Sequence, residues 1–333
     1  MRLRHSNVRR ALAAAWWTAL AVAATAGALR AQGGLATEGV LFLLVPVGAR
    51  TAGSGQAAVT SEAGSESLWS NPAGIARMTR PEMALLYSKT FVENGMALAV
   101  VYPAGRAGVL GFGVQLYDDG GPQEHTTDPS GAIGELVPSS RVYVAAYAAT
   151  LGPFLRAGVT FKVVQQLLAC TGPCSDVSTF NRKTYGLDAG LQYLTHRADS
   201  LTFGFALRNF GLKMQVNDNA QADPPPTRLN LGVGARVPAM ARALPGAELR
   251  WAVEMVNRTS LNDPSVHVGA ELGLQRQLYL RAGYVSGTGD ASGGSIGLGF
   301  VRGKLALDFA RVFGGASSDL GLPPTFLTLR VSW

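Results

Sequence analysis

Charge, cysteine and histidine are all scarce in this chain. Only 15% of its 333 residues are Asp, Glu, Lys or Arg, against roughly 25% in an ordinary soluble domain. Disorder is nevertheless excluded, because 47% of the residues are hydrophobic and such a chain can bury enough apolar surface to order itself. Long apolar runs are missing as well. One stretch near the N-terminus approaches the length of a membrane-spanning helix, which excludes a multi-span helical protein. Past residue 32 there are only three histidines, His125, His196 and His267. None has the nucleophile–base or metal-ligand spacing that acyl transfer or zinc chemistry needs. The glycine strings Gly53-Ser54-Gly55 and Gly111-Phe112-Gly113 lack the strand–loop–helix context of a phosphate loop. No enzymatic activity, no cofactor and no metal are expected.

The net charge of +7 is misleading. Arg2, Arg4, Arg9, Arg10 and Arg30 fall in the first 32 residues, where no acid occurs. Without them 24 basic residues face 22 acidic ones, a balance of +2, which gives no support for a nucleic-acid partner. The basic start, the Ala-rich apolar stretch from Ala11 to Ala24 and the small residues Ala26-Gly27-Ala28 and Ala31 have the layout of a secretory signal peptide. Cleavage after Ala28 or Ala31 is expected, so 1–31 is read as a removable signal; the alternative is a permanent N-terminal anchor. Cys170 and Cys174 enclose Thr-Gly-Pro, and in an oxidising compartment the simplest outcome is a local disulfide across that turn.

From about residue 82 the chain repeats one pattern, eight to twelve alternating residues followed by turn residues. Leu201, Phe203, Phe205 and Leu207 alternate with Thr202, Gly204, Ala206 and Arg208. Tyr185, Leu187, Ala189, Leu191 and Tyr193 alternate with Gly186, Asp188, Gly190 and Gln192. Period two is the signature of a strand whose faces meet different surroundings. About fourteen such segments follow one another with no helical period between them, which excludes a parallel βαβ fold. Strands near ten residues, sparse surface charge and connections that alternate long and short all fit a transmembrane barrel with lipid outside and a polar lumen. One short-side connection, 238–247, is too long for the rule. An all-β transmembrane antiparallel barrel of about fourteen strands is therefore expected over 81–333, in contact with outer-membrane lipid, with both chain ends on the short-turn side. Residues 32–80 do not alternate and are expected to form a hatch or plug inside it.

Alternation also aims Arg208, Arg236, Arg250, Glu254, His267, Glu271 and Arg281 into the lumen from neighbouring strands. Such a group can guide a ligand or hold the plug; its plainest role is an ion-pair network that satisfies buried charge in a narrow barrel. In the hatch, Pro72 biases Asn71 away from the helical region. Asn71 can then cap a turn with Pro72 at its first position, followed by Ala73 and by Gly74, expected to allow close approach to the barrel wall. At the C-terminus Leu327, Leu329, Val331 and Trp333 alternate with Thr328, Arg330 and Ser332. An apolar alternation ending on a terminal aromatic resembles the signal read by bacterial barrel-assembly machinery, an expected partner.

The run Val47-Gly-Ala-Arg50-Thr-Ala-Gly53-Ser-Gly55-Gln-Ala57, followed by Trp69-Ser-Asn71-Pro72-Ala73-Gly74-Ile75-Ala76, resembles the N-terminal signature of the PorV/PorQ family of outer-membrane proteins. Gly53-Ser54-Gly55 stands where that signature has Gly-Met-Gly. The family is similar in turn to the fourteen-stranded FadL-type transporters, whose N-terminal hatch carries the same Asn-Pro-Ala element. The resemblance implies one of two functions. A PorV/PorQ protein binds exported proteins and delivers them at the cell surface in a type IX-like secretion pathway, with secreted cargo and other secretion components as partners. A FadL-like protein passes hydrophobic small molecules across the outer membrane.

Overall fold

The structure, a computed structural model, describes residues 38–62, 64–90, 94–125, 134–172, 179–195, 201–214, 222–258, 261, 264–287, 292–314 and 323–333. The expected signal peptide, Cys174 and His196 lie outside the described residues. The chain is a closed antiparallel β-barrel of fourteen staves. Its strands are β1 (Glu82–Lys89), β2 (Asn94–Pro103), β3 (Val109–Asp118), β4 (Gln123–His125), β5 (Gly134–Leu151), β6 (Leu155–Thr171) and β7 (Phe180–Leu194). They continue as β8 (Leu201–Gly211), β9 (Arg228–Arg236), β10 (Ala247–Arg258), β11 (Ser265–Leu274), β12 (Leu278–Ser286), β13 (Gly293–Arg302), β14 (Leu305–Phe313) and β15 (Thr325–Ser332). Each strand pairs with its sequence neighbours, except that the short β4 extends β3 along β5 and so adds no stave. Pairing of β1 with β15, Leu85 opposite Leu329, closes the cylinder.

Alternation becomes burial directly. In β1 every second residue is buried, and Met83, Leu85 and Tyr87 point outward, 38–49% exposed. The same holds for Phe112 on β3, Leu191 on β7 and Leu307 on β14. A continuous apolar exterior of this kind is stable only against hydrocarbon, since water would leave it unburied. The inward positions face a filled lumen and are small, polar or, beside the apolar side of the hatch, aliphatic, as with Leu86, Val101 and Val142.

Three features depart from the periodic reading. Strands β5, β6 and β7 run 18, 17 and 15 residues, whereas about ten suffice to cross a bilayer. Their extra length lies at the long-loop end, around Pro138-Ser139-Ser140 and Gln165-Gln166. There the apolar alternation has lapsed but backbone pairing persists, Ser139 opposite Leu167. The long short-side connection contains a helix, Pro238–Ala243, with Pro238 in its first turn. Strand β8 carries a bulge: its register against β7 shifts between Leu187 and Ala189, and Asn209 takes a left-handed φ of 56°. The extra residue turns Asn209 inward beside Arg208 and returns Phe210 to the exterior, where it is 59% exposed.

Residues 38–81 occupy the lumen. They begin at the long-loop end, where Glu38 pairs with Arg228 at 2.8 Å. They end at the short-turn end, where β1 starts. Short 3-10 turns and helices, Leu41–Leu44, Ala49–Gly53, Gly64–Glu66, Ser67–Ser70 and Pro72–Ile75, make up this hatch. Leu68, Trp69 and Ile75 pack with Ala84, Ala99, Val101, Val142 and Val144 of the wall into one buried core. At roughly 1.5–3 kcal/mol for each large side chain removed from water, this core fixes one side of the hatch.

Candidate functional site

Asn71 organises the hatch. It is fully buried and extended (φ −150°, ψ 105°). Its Oδ1 accepts from the Ala73 amide at 3.0 Å and its Nδ2 donates to the Val59 carbonyl at 2.6 Å. One side chain therefore caps the Pro72–Ile75 turn and ties it to the preceding loop. Gly74 lies against Ser61 and Ser67 of the hatch itself rather than against the wall. Close approach to the wall is provided by the wall's own glycines. A Cβ on Gly158 would meet Pro72 backbone, on Gly204 the Val59 carbonyl, and on Gly297 the Cα of Gly53. The inward glycines of the alternation are the seat of the hatch.

Opposite the apolar core the hatch is held by charge. Arg50 reaches Glu271 on β11 at 3.4 Å. Glu271 pairs with Arg281 on β12 at 2.6 Å, Arg281 with Asp308 on β14 at 2.7 Å, and Asp308 with Arg330 on β15 at 2.7 Å. Arg330 lies 3.7 Å from Glu82 on β1, which accepts from the Ser65 amide at 2.9 Å. The chain of charges thus starts and ends in the hatch and crosses the seam where the barrel closes. Between its ends sits Glu66, wholly buried, accepting from the Thr51 amide and hydroxyl, both at 2.9 Å. Burial, reinforced by Asp308, raises its carboxyl above the ordinary range.

The seven lumen charges expected from alternation therefore divide. Glu271 and Arg281 belong to this chain of ion pairs. Glu254 holds a different part of the hatch, accepting from the Val59 amide at 2.8 Å and from Asn230 at 2.5 Å. His267 is buried beside Ser265, 3.1 Å from its hydroxyl. Arg208 has no ion-pair partner among the described residues. Arg236 and Arg250 share Glu248 at the short-turn mouth, at 3.3 and 2.8 Å, and are 41% and 35% exposed. Sequence reading missed Asp308, Arg330 and Glu82, whose inward parity on β14, β15 and β1 was available. It also missed the buried Lys162–Asp188 pair at 2.7 Å, to which Asn209 is joined. Arg50 and Glu66 had no such signal, because the hatch has no period.

Among the described residues, one cavity lies on each side of the hatch. The one on the long-loop side measures about 320 Å³ and is bordered by Leu44, Val47, Trp69, Val256 and Val285, with Glu66, Arg208, Arg228, Asn230 and His267 among its polar neighbours. The one on the short-turn side measures about 110 Å³ and is lined by Arg50, Arg77, Arg236, Arg250, Glu62 and Glu271. In the second, Glu62 pairs with the buried Arg156; burial would raise its carboxyl, but Arg156 prevails and lowers it. Thr51 borders both cavities.

At the remaining positions, Cys170 lies near the end of β6 and is disulfide-bonded. Leu327, Leu329 and Trp333 face outward, 40–52% exposed, Val331 lies opposite Met83, and the Trp333 amide donates to the Pro81 carbonyl at 3.2 Å.

No protein-family model matches the chain, and no curated protein matches it in sequence. Solved structures do. The toluene transporter TodX of Pseudomonas putida superposes with a TM-score of 0.57 at 12% identity, over 86% of this chain and 98% of that one. The toluene transporter TbuX of Ralstonia pickettii gives 0.53 at 14% identity, over 86% and 97%. A Pseudomonas aeruginosa FadL homologue gives 0.52 at 11%, over 87% and 98%. At these identities the likeness is one of fold: this chain is built as those fourteen-stranded transporter barrels are, N-terminal hatch included.

Proposed function

We propose that this protein is a bacterial outer-membrane barrel that passes hydrophobic small molecules passively, in the manner of FadL-like transporters. The observation that carries the reading is the cavity of about 320 Å³ between hatch and wall on the long-loop side. It is of ligand-site size, and Leu44, Pro46, Val47, Trp69, Val256 and Val285 give it more apolar than polar lining, facing a polar side that includes Glu66, Arg208, Arg228 and His267. Thr51 borders both this cavity and the one on the short-turn side, so a shift of the hatch at Thr51 would join the two. The likeness to two toluene transporters supports the same reading. The secretion reading rests on residues 47–57 and 69–76, and these build the hatch, which the transport reading needs equally.

Uptake of labelled toluene and of a labelled long-chain fatty acid by cells expressing the protein tests this reading. Val256→Trp, which fills the cavity, is expected to lower uptake at least tenfold, and Thr51→Ala to raise it. Uptake no greater than in cells lacking the protein, for both probes, would overturn it.

A further inference from the structure

The near-neutral balance of the chain beyond its first 32 residues conceals a strong asymmetry between the two ends of the barrel. The short-turn end consists of the lead-in 76–81 and the connections 104–108, 152–154, 195–200, 237–246, 275–277 and 303–304. Together they carry seven Arg or Lys and one acid, Asp199. The seven connections at the other end carry ten Asp or Glu and one cation, Lys213. Chance placement of charge on loops does not sort signs in this way.

Position sharpens the contrast. Outward aromatics mark where hydrocarbon gives way to headgroups, and Tyr102, Tyr193, Phe300 and Trp333, all 49–55% exposed, stand at the short-turn ends of their strands. The cations lie just beyond them. Arg106 follows Tyr102 by four residues and Arg302 follows Phe300 by two; Arg80 adjoins Pro81, whose carbonyl holds Trp333. Arg80, Arg106, Arg276, Arg302 and Lys304 are all exposed. One of them occupies a costly conformation. The β11–β12 hairpin places Gln275 and Arg276 at φ 52° and 57°, a turn that Asn-Gly would make with less strain. A long cation kept where glycine fits better points to a use for the side chain.

We propose that this ring binds the phosphodiester headgroups of anionic glycerophospholipids in the leaflet at the short-turn end, and so fixes the barrel's depth and orientation. The acidic opposite rim would be repelled by the same headgroups. A basic side chain beside an anionic leaflet favours binding by about fivefold. The inference rests on the transmembrane barrel alone and is independent of what the cavity takes.

The test uses the full-length protein, equilibrated with equal amounts of phosphatidylglycerol and phosphatidylcholine and then passed into lipid-free detergent. Retained lipid is measured by mass spectrometry. Phosphatidylglycerol is expected to be enriched about fivefold. The enrichment should fall to parity in the variant R80Q/R106Q/R276Q/R302Q/K304Q and persist in K183Q/K213Q at the opposite rim. All seven residues are exposed, and circular dichroism of strand content checks that both variants fold. Parity in the unaltered protein, or equal enrichment in the five-site variant, would overturn the proposal. So would capture of polyglutamate by the same cations with no preference between the two lipids, which would assign the ring to an acidic protein instead.

Discussion

Asp308→Asn removes the centre of the ion-pair chain while leaving its shape. Asp308 is 1% exposed and accepts from Arg281 and from Arg330, each at 2.7 Å. Removing one member of a buried pair costs about 3–5 kcal/mol, chiefly because the partner charge is left without compensation. Here both arginines keep a second carboxylate, Glu271 at 2.6 Å and Glu82 at 3.7 Å, so the lower end, about 3 kcal/mol, is expected. At roughly 2–4 °C per kcal/mol for a domain of 150–250 residues, the unfolding midpoint in detergent should drop by about 6–12 °C. The decisive comparison is the double variant D308N/R330Q. If the cost comes from the stranded Arg330 charge, removing that charge should recover at least about 1 kcal/mol relative to the sum of the single effects. A single variant within about 2 °C of the unaltered protein, or a strictly additive double, would refute the reasoning and make the network an accessory of packing.

Asn71→Ala removes a cap and one of the two side-chain donors to the Val59 carbonyl, leaving the Gln192 amide at 3.1 Å. A loss of about 1–2 kcal/mol is expected, seen as faster protease cleavage within the hatch while the barrel stays resistant. Gly204→Ala places a Cβ 2.6 Å from the Val59 carbonyl oxygen, backbone against backbone. It should cost about 1–3 kcal/mol and expose a reporter cysteine at Val59 to maleimide, whereas an unchanged labelling rate would count against the glycine seat. Glu66 supplies a pH test. Its carboxyl is raised in the fold by burial, so the stability it contributes is fully present below the ordinary carboxylate range and is lost as pH rises through the raised value. The midpoint difference between Glu66→Gln and the unaltered protein should therefore grow in the variant's favour from pH 4 to pH 8. A difference that shrinks over that range would show the sign to be wrong.

The barrel was legible because a membrane wall imposes period two on every strand, and Leu201-Thr-Phe203-Gly-Phe205 states that period without reference to any distant residue. The inward charges could be placed on a face for the same reason, and the parity of Asp308 was as available as that of Glu271. Periodicity ends where the surroundings cease to differ across the strand. The upper reaches of β5 and β6 pair through backbone amides that no side-chain pattern reports, and the bulge at Asn209 interrupts the parity it was meant to follow. The hatch lacked any period from the start. Its residues are small because they pass close to glycines of a wall built more than 240 positions later, as with Gly53 and Gly297. By itself, then, the sequence determined the alternation, the strand count and the sign of the charge on each connection, all of which are local. Tertiary structure alone decided that Arg50 meets Glu271, that Gln192 reaches the Val59 carbonyl and that a cavity remains above Thr51, because each depends on which distant strands the closing of the barrel brings around one short segment.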